Sequence, residues 1–192
     1  MKEALEILKV GKVAFKAING DIRDLQADAL VQPSGTSSVG QPMQASPWVI
    51  VSDADGSITQ ALSVHQPFQL GDVIVTPAGA LKAKYLFSAI VIDWAHQDPF
   101  AQLLSDKIVT STARKCIDVA LALGIKSIAF TPWGTRVRAT EASHVTALLI
   151  QSIASGLQTR SGNLEIVYLI SREYEHYQWF LDRAFVVTAQ AC

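Results

Sequence analysis

Apolar residues fall in two rhythms along this chain, and the alternation between them lays out its elements. Short runs rich in β-branched and aromatic residues, bounded by Gly, Pro, Asn or Asp, predict core strands at 13–18, 29–31, 73–76, 86–92, 128–130 and 166–170. Helical spacing takes over elsewhere. Between 102 and 123 the residues Ile108, Val109, Ala113, Cys116, Ile117 and Ala120 recur on one face, with Gly124 placed to end the helix. A second long helix, from about 140 to 157, carries Val145, Leu148, Leu149 and Ile153, and a short one opens near Ser57 with Ile58, Ala61 and Leu62. After the last strand Ser171 caps a terminal helix with Tyr174, Tyr177, Phe180 and Leu181, and the chain from Val186 reads as tail. Helices alternating with buried strands predict a three-layer α/β/α fold with a mixed central sheet, and residues 1–192 read as one domain.

The stretch 19–35, NGDIRDLQADALVQPSG, stands out within this frame. Asn19-Gly20-Asp21 closes an apolar strand with a turn and a carboxylate, and Pro33 and Gly35 are expected to stop the next strand and open its end. In open α/β sheets ligands bind outside the carboxyl ends of the strands, which makes these two ends candidates. Asp21 and Asp28 also read as plain turn and cap residues. The following segment to Pro47 is a Gly/Ser/Gln/Pro-rich loop, and Trp48-Val49-Ile50-Val51 is either a buried strand or an apolar flap.

Composition narrows the function. Hydrophobic residues make up 49% of the chain and charged residues 17%, so the chain collapses readily, and a homo-oligomer is one way to hide part of such a surface. A net charge of −1 lacks the basic footprint of a general nucleic-acid binder. Charges at Glu6, Lys9 and Lys12 interrupt any leader, and no apolar run is long enough for a membrane span, so a cytoplasmic protein is expected. Cys116 and Cys192 form neither a disulfide framework nor a metal spacing, and the four histidines show no ligand pattern. No cofactor is called for.

The order of pieces resembles the macrodomain, a fold that binds ADP-ribose and related nucleotides. The resemblance rests on Gly20-Asp21-Ile22 followed by Asp28-Ala29-Leu30-Val31, on Gly71-Asp72-Val73-Ile74-Val75-Thr76, on the Ala120 to Phe130 stretch, and on the strand ending at Ile170 with its Tyr-rich helix. It implies that Asp21 accepts from an adenine amino group beside Ile22, since a carboxylate is acceptor-only and suits an amine. The family's Asn-Ala-Ala-Asn run is replaced by Gln32, Pro33, Ser34 and Gly35, so its distal-ribose asparagine is missing. Its glycine triplet before a helix is replaced by Ser52-Asp53-Ala54-Asp55-Gly56, in which Gly56 remains and the two carboxylates either repel a diphosphate or cap the helix facing away. Its second phosphate loop corresponds to Thr131-Pro132-Trp133-Gly134-Thr135-Arg136-Val137-Arg138, where Gly134 or Arg136 takes the glycine position. Arg136 and Arg138 could hold phosphate, Trp133 could pack on a base, and Leu169 or Ile170 stands where relatives place an adenine-stacking aromatic.

Three functions follow, in descending order of support. One is a module that binds an adenine nucleotide or ADP-ribose-type ligand without efficient hydrolysis, through Asp21, Ile22, Gln32, Ser34, Gly35, Gly56, Gly134, Thr135, Arg136 and Ile170. Another is a scaffold that has lost its nucleotide and serves protein interaction. The third, an ADP-ribosyl hydrolase, lacks residues to orient a nucleophile, and no catalytic residue is assigned.

Overall fold

The structure, a computed structural model, describes residues 3–36, 57–65, 67–93, 105–134, 139–160 and 162–190. Its strands are β1 (Leu5–Val10), β2 (Val13–Asn19), β3 (Ala29–Thr36), β4 (Val73–Pro77), β5 (Tyr85–Asp93), β6 (Ser127–Phe130) and β7 (Ile166–Ser171). The helices are α1 (Ser57–Ser63), α2 (Asp106–Ala122), α3 (Ala139–Gln158) and α4 (Tyr174–Gln190), with a 3-10 turn at Ile22–Asp24. All seven strands join one sheet in the order β1-β2-β7-β6-β3-β5-β4. The five inner strands are parallel, and the two outer ones, β1 on β2 and β4 on β5, are antiparallel. The carboxyl ends of β2, β7, β6, β3 and β5 therefore share one edge.

Strand periodicity divides the interior into two cores. On one face Phe15, Val31, Phe87, Phe130 and Leu169 pack with Val109, Ile117, Leu149 and Phe180 of α2, α3 and α4. On the other, Ile18, Leu30, Leu86, Ala129 and Ile170 pack with Ile22 and Leu25 of the 3-10 turn and Ile58 and Leu62 of α1. These are the two helical layers over a mixed sheet that the alternation of elements predicts. The three long helices all lie on the first face, so among the described residues the second is thinly covered.

Local chemistry accounts for the element ends. Ser105 caps α2 by accepting from the N–H of Ile108. At the other end Gly124 adopts φ +64°, and the N–H groups of Gly124 and Ile125 donate to the carbonyls of Leu121 and Ala120, the double bond of a Schellman stop.

Two expectations need correction. Pro33 and Gly35 do not stop β3, which stays paired with β5 as far as Thr36↔Asp93, with a register shift between Ser34 and Gly35. Pairing of β3 with β6 ends at Val31↔Phe130, so beyond it one side of β3 has no ladder to lose when proline lacks its N–H. The chain from Val186 is not tail, because α4 continues to Gln190. The opening residues form an edge strand that the sequence reading left unassigned.

Candidate functional site at the carboxyl edge of the parallel strands

The shared edge collects several residues singled out by the sequence. Gly20 and Asn19 tie the end of β2 to that of β7, the N–H of Gly20 and Asn19 Nδ2 both donating to the Ser171 carbonyl. Asp21 follows at once. It caps the 3-10 turn, its Oδ1 accepting from the N–H of Arg23 at 2.9 Å. Ile22 and Ile170 are buried together in the second core.

Asp21 is already engaged. Arg23 Nε donates to both carboxylate oxygens at 3.0 Å, and Arg23 Nη2 donates to Oδ2 at 2.5 Å. Arg172 Nε stands 3.7 Å from the same Oδ2. The Arg23 hydrogen bond holds the Asp21 carboxyl below its ordinary range, against the opposing effect of burial. Asp21 thus stays ionised, but most of its acceptor capacity is spent within the protein.

The middle of the edge has a different character. Gln32 is 1% exposed and points to the thinly covered face, where its Nε2 donates to Ser88 Oγ of the neighbouring strand at 3.2 Å. Its Oε1 is buried with no partner among the described residues, as is the Thr131 hydroxyl just past β6. Thr131 follows directly on Phe130, the last β6 residue paired with β3. Gln32 and Ser88, paired across β3 and β5, form a polar spot on an apolar face. Buried acceptors left open in this way are costly and mark a place for a ligand or ordered water.

Ser34 and Gly35 extend this edge within β3, and Gly134 follows β6 with φ +74°, a backbone conformation that L side chains resist. Trp133 does not present itself to a ligand. It is fully buried in the larger core, tilted against Phe130 with ring centroids 6.4 Å apart. Gly56, Thr135 and Arg136, together with Trp48, Asp53, Asp55, Arg138 and most of the loop before Pro47, lie outside the described residues.

Asp28 belongs to the opposite edge. Its Oδ2 accepts from the N–H groups of Lys126 and Ser127 at 2.8 and 3.1 Å, and Lys84 Nζ lies 3.1 Å from Oδ1. This pins the start of β3 to the start of β6, a structural duty. Among the described residues no group of His, Cys, Asp and Glu is placed to hold a metal ion, and no helix is long and apolar enough to cross a membrane. Ser88, Arg23 and Arg172 are neighbours of the candidate site that the sequence did not single out, and Thr131 entered only as the first residue of the 131–138 loop. Only Arg23 carried a local signal, since an Asp two residues before a basic residue readily forms a capped turn around it.

Comparison with known proteins agrees with this architecture. The chain is 27% identical over 182 residues to an uncharacterised protein of Pyrobaculum aerophilum, covering 90% of this chain and 92% of that one. It is 26% identical over 176 residues to the O-acetyl-ADP-ribose deacetylase of Salmonella newport, covering 84% and 88% of the two chains. The fold superposes on the Oceanobacillus iheyensis macrodomain with ADP at a TM-score of 0.71, covering 98% of each chain at 15% identity. The Macro domain model matches residues 52–149, and with a seven-stranded mixed sheet between helical layers, the chain belongs to the macro domain family.

Proposed function

We propose that this macro domain binds a nucleoside diphosphate ligand of the ADP-ribose class at the carboxyl edge of its parallel strands, and does not turn such a ligand over efficiently. The observation that carries the reading is the buried amide oxygen of Gln32, held by Ser88 and left without a partner where a ligand would lie. Support also comes from Gly134, whose positive φ frees backbone next to that place, and from the apolar pair Ile22 and Ile170 beside Asp21. Asp21, Ile22, Ser34, Gly35, Gly134 and Ile170 are the proposed contacts among the described residues, with Gln32 and Thr131 in the floor.

The absence of turnover rests on residue types. Pose control of a distal sugar needs paired side-chain donors at fixed spacing, and at 32–35 only Gln32 carries an amide, one of whose two Nε2 hydrogens is already given to Ser88. Pro33 and Gly35 offer none. A second reading, a scaffold that has given up nucleotide binding, draws on the Arg23 fork over Asp21. Titration calorimetry with ADP-ribose and ADP separates the two. Binding weaker than about 1 μM supports the module, and no heat with either ligand supports the scaffold. Release of ADP-ribose from a modified protein at an appreciable rate would overturn the claim on turnover.

A further inference from the structure

The first strand carries its charges in a mirrored order. In Glu3-Ala4-Leu5-Glu6-Ile7-Leu8-Lys9-Val10-Gly11-Lys12, each acidic residue stands as far before the midpoint, between Ile7 and Leu8, as a lysine stands after it. This stretch forms β1 and the turn into β2. Strand β1 ends the sheet, and among the described residues no strand pairs with its outer side. Leu5, Glu6 and Lys9 are exposed there, Leu5 to 51%. The register against β2 sorts these side chains by face. Leu5 lies opposite Ala17 and Leu8 opposite Phe15, both of the larger core, whereas Glu6 lies opposite Lys16 and Lys9 opposite Ala14 on the other face. Ile7 is the extra residue at the shift between Glu6 and Leu8, and it packs with Leu8 against that same core. This bulge is what brings Glu6 and Lys9 to one face, since in a regular strand they would point to opposite ones.

We infer that β1 pairs antiparallel with β1 of a second copy, Glu6 lying opposite Lys9 of that copy and Lys9 opposite its Glu6, about a two-fold axis perpendicular to the sheet at the bulge. Such an axis keeps each face of the sheet on its own side. The pairing therefore sets Leu5 against Val10 and bulge against bulge on the core face, with two opposite-charge pairs on the other. Opposite charges directly across a strand pair attract, and like charges repel. Charges on an edge usually deter pairing, but here they select one register. With the bulge counted as a single position, a slide of two residues either way sets Glu6 on Glu6 or Lys9 on Lys9. The mirrored order fits a second copy by symmetry, which is why the occupant is this chain and not a strand of another protein. One sheet then runs through both copies, its two carboxyl edges facing opposite ways, and the inference stands independently of the ligand reading.

A strand of 6 residues buries little area, so the dimer is expected to be reversible, with a dissociation constant on the order of tens of micromolar. Sedimentation equilibrium of the unaltered chain measures it. Glu6→Lys and Lys9→Glu each turn both symmetric pairs into like charges, and each is expected to weaken self-association about tenfold. Mixed in equal amounts, the two variants complement each other. The mixture, and the double variant with both changes, are expected to dimerise about as tightly as the unaltered chain. Thermal melts show that each variant is folded, and should Glu6→Lys fail there, Lys9→Glu against the double variant makes the same comparison. A chain that stays monomeric at about 0.5 mM, a dimer unmoved by either single variant, or a mixture no tighter than its parts overturns the inference.

Discussion

At the scale of single residues, the decisive feature is that carboxylates with similar sequence settings do different work. Asp28 is surrounded by donors from another strand, and although its burial pulls its pKa upward, the Lys126, Lys84 and Ser127 contacts outweigh this and lower it. Asp21 is lowered chiefly by Arg23. Both groups have folded-state values below their unfolded ones, so each stabilises the fold above about pH 4 and loses that contribution as pH falls through its folded value. Replacing Asp28 by Ala strands two backbone N–H groups at the head of β6. It is expected to cost about 2 to 3 kcal/mol in denaturant unfolding at neutral pH, with the deficit narrowing in acid. A loss below about 0.5 kcal/mol would show that water replaces the carboxylate without penalty. Asp21→Ala removes the cap of a short turn together with a solvent-screened pairing to Arg23, so a stability loss of about 1 kcal/mol is expected from the same measurement.

At the scale of elements, α4 contains a pH-sensitive contact. The His176 ring lies tilted against that of Trp179, centroids 4.5 Å apart, with Nδ1 3.5 Å from Ser171 Oγ, and Ser171 Oγ in turn accepts from the N–H of Glu173 before the helix. Burial lowers its pKa from 6.5, against the opposing pull of Glu175 and Glu173. The unfolded chain therefore takes up the proton first, and stability falls as pH drops below about 6.5 until the folded value is passed. Melting temperature should decline across that window, and His176→Gln should flatten the decline. An unchanged slope in the variant would place the proton elsewhere. The same scale shows what the sequence could disclose. The six predicted core strands and α2 with its glycine stop were readable because β-branched runs and a 3.6-residue repeat record burial directly. Strand β1 was not, because it is an edge with Glu6 and Lys9 exposed and a register shift between Glu6 and Leu8 that breaks its alternation. The end of α4 was missed because Val186 and Val187 are weak helix formers, although no Gly or Pro intervenes. At the candidate site, the position of Asp21, Ile22 and Ile170 at the carboxyl edge follows from the order of the motifs, while their role as contacts is the proposal. The fork on Asp21 and the Gln32–Ser88 spot were less legible, since a cross-strand partner 56 residues away leaves no local mark.

For the whole molecule, the described residues cover the two sheet faces unequally, and the proposed ligand edge ties that difference in stability to binding. Three helices of 17, 20 and 17 residues close one face over a large continuous core. The other is covered within the described residues by a 3-10 turn and α1, a helix of 7 residues that buries Ile58 and Leu62. Isolated helices of that length are marginal, so α1 holds through those two side chains and opens at far lower cost than α2 or α3. The proposed ligand edge borders this weaker face, because Ile22, Ile170 and Gln32 all point toward it. Native-state hydrogen exchange should then show amides of 57–63 exchanging by local opening, while those of 109–120 exchange only with global unfolding. Saturating ADP-ribose should slow exchange in 57–63 and around Asp21 more than in 109–120, since the ligand would hold in place the layer that borders it. Leu62→Ala should weaken binding several-fold with a stability loss of about 2 kcal/mol or less, because the cavity it leaves collapses by detaching α1 and spares the sheet. Phe130→Ala, on the opposite face, should cost about 3 to 5 kcal/mol. Uniform protection of α1 and α2 in the free protein, or equal slowing of both by the ligand, would refute this coupling of the thin face to the binding edge.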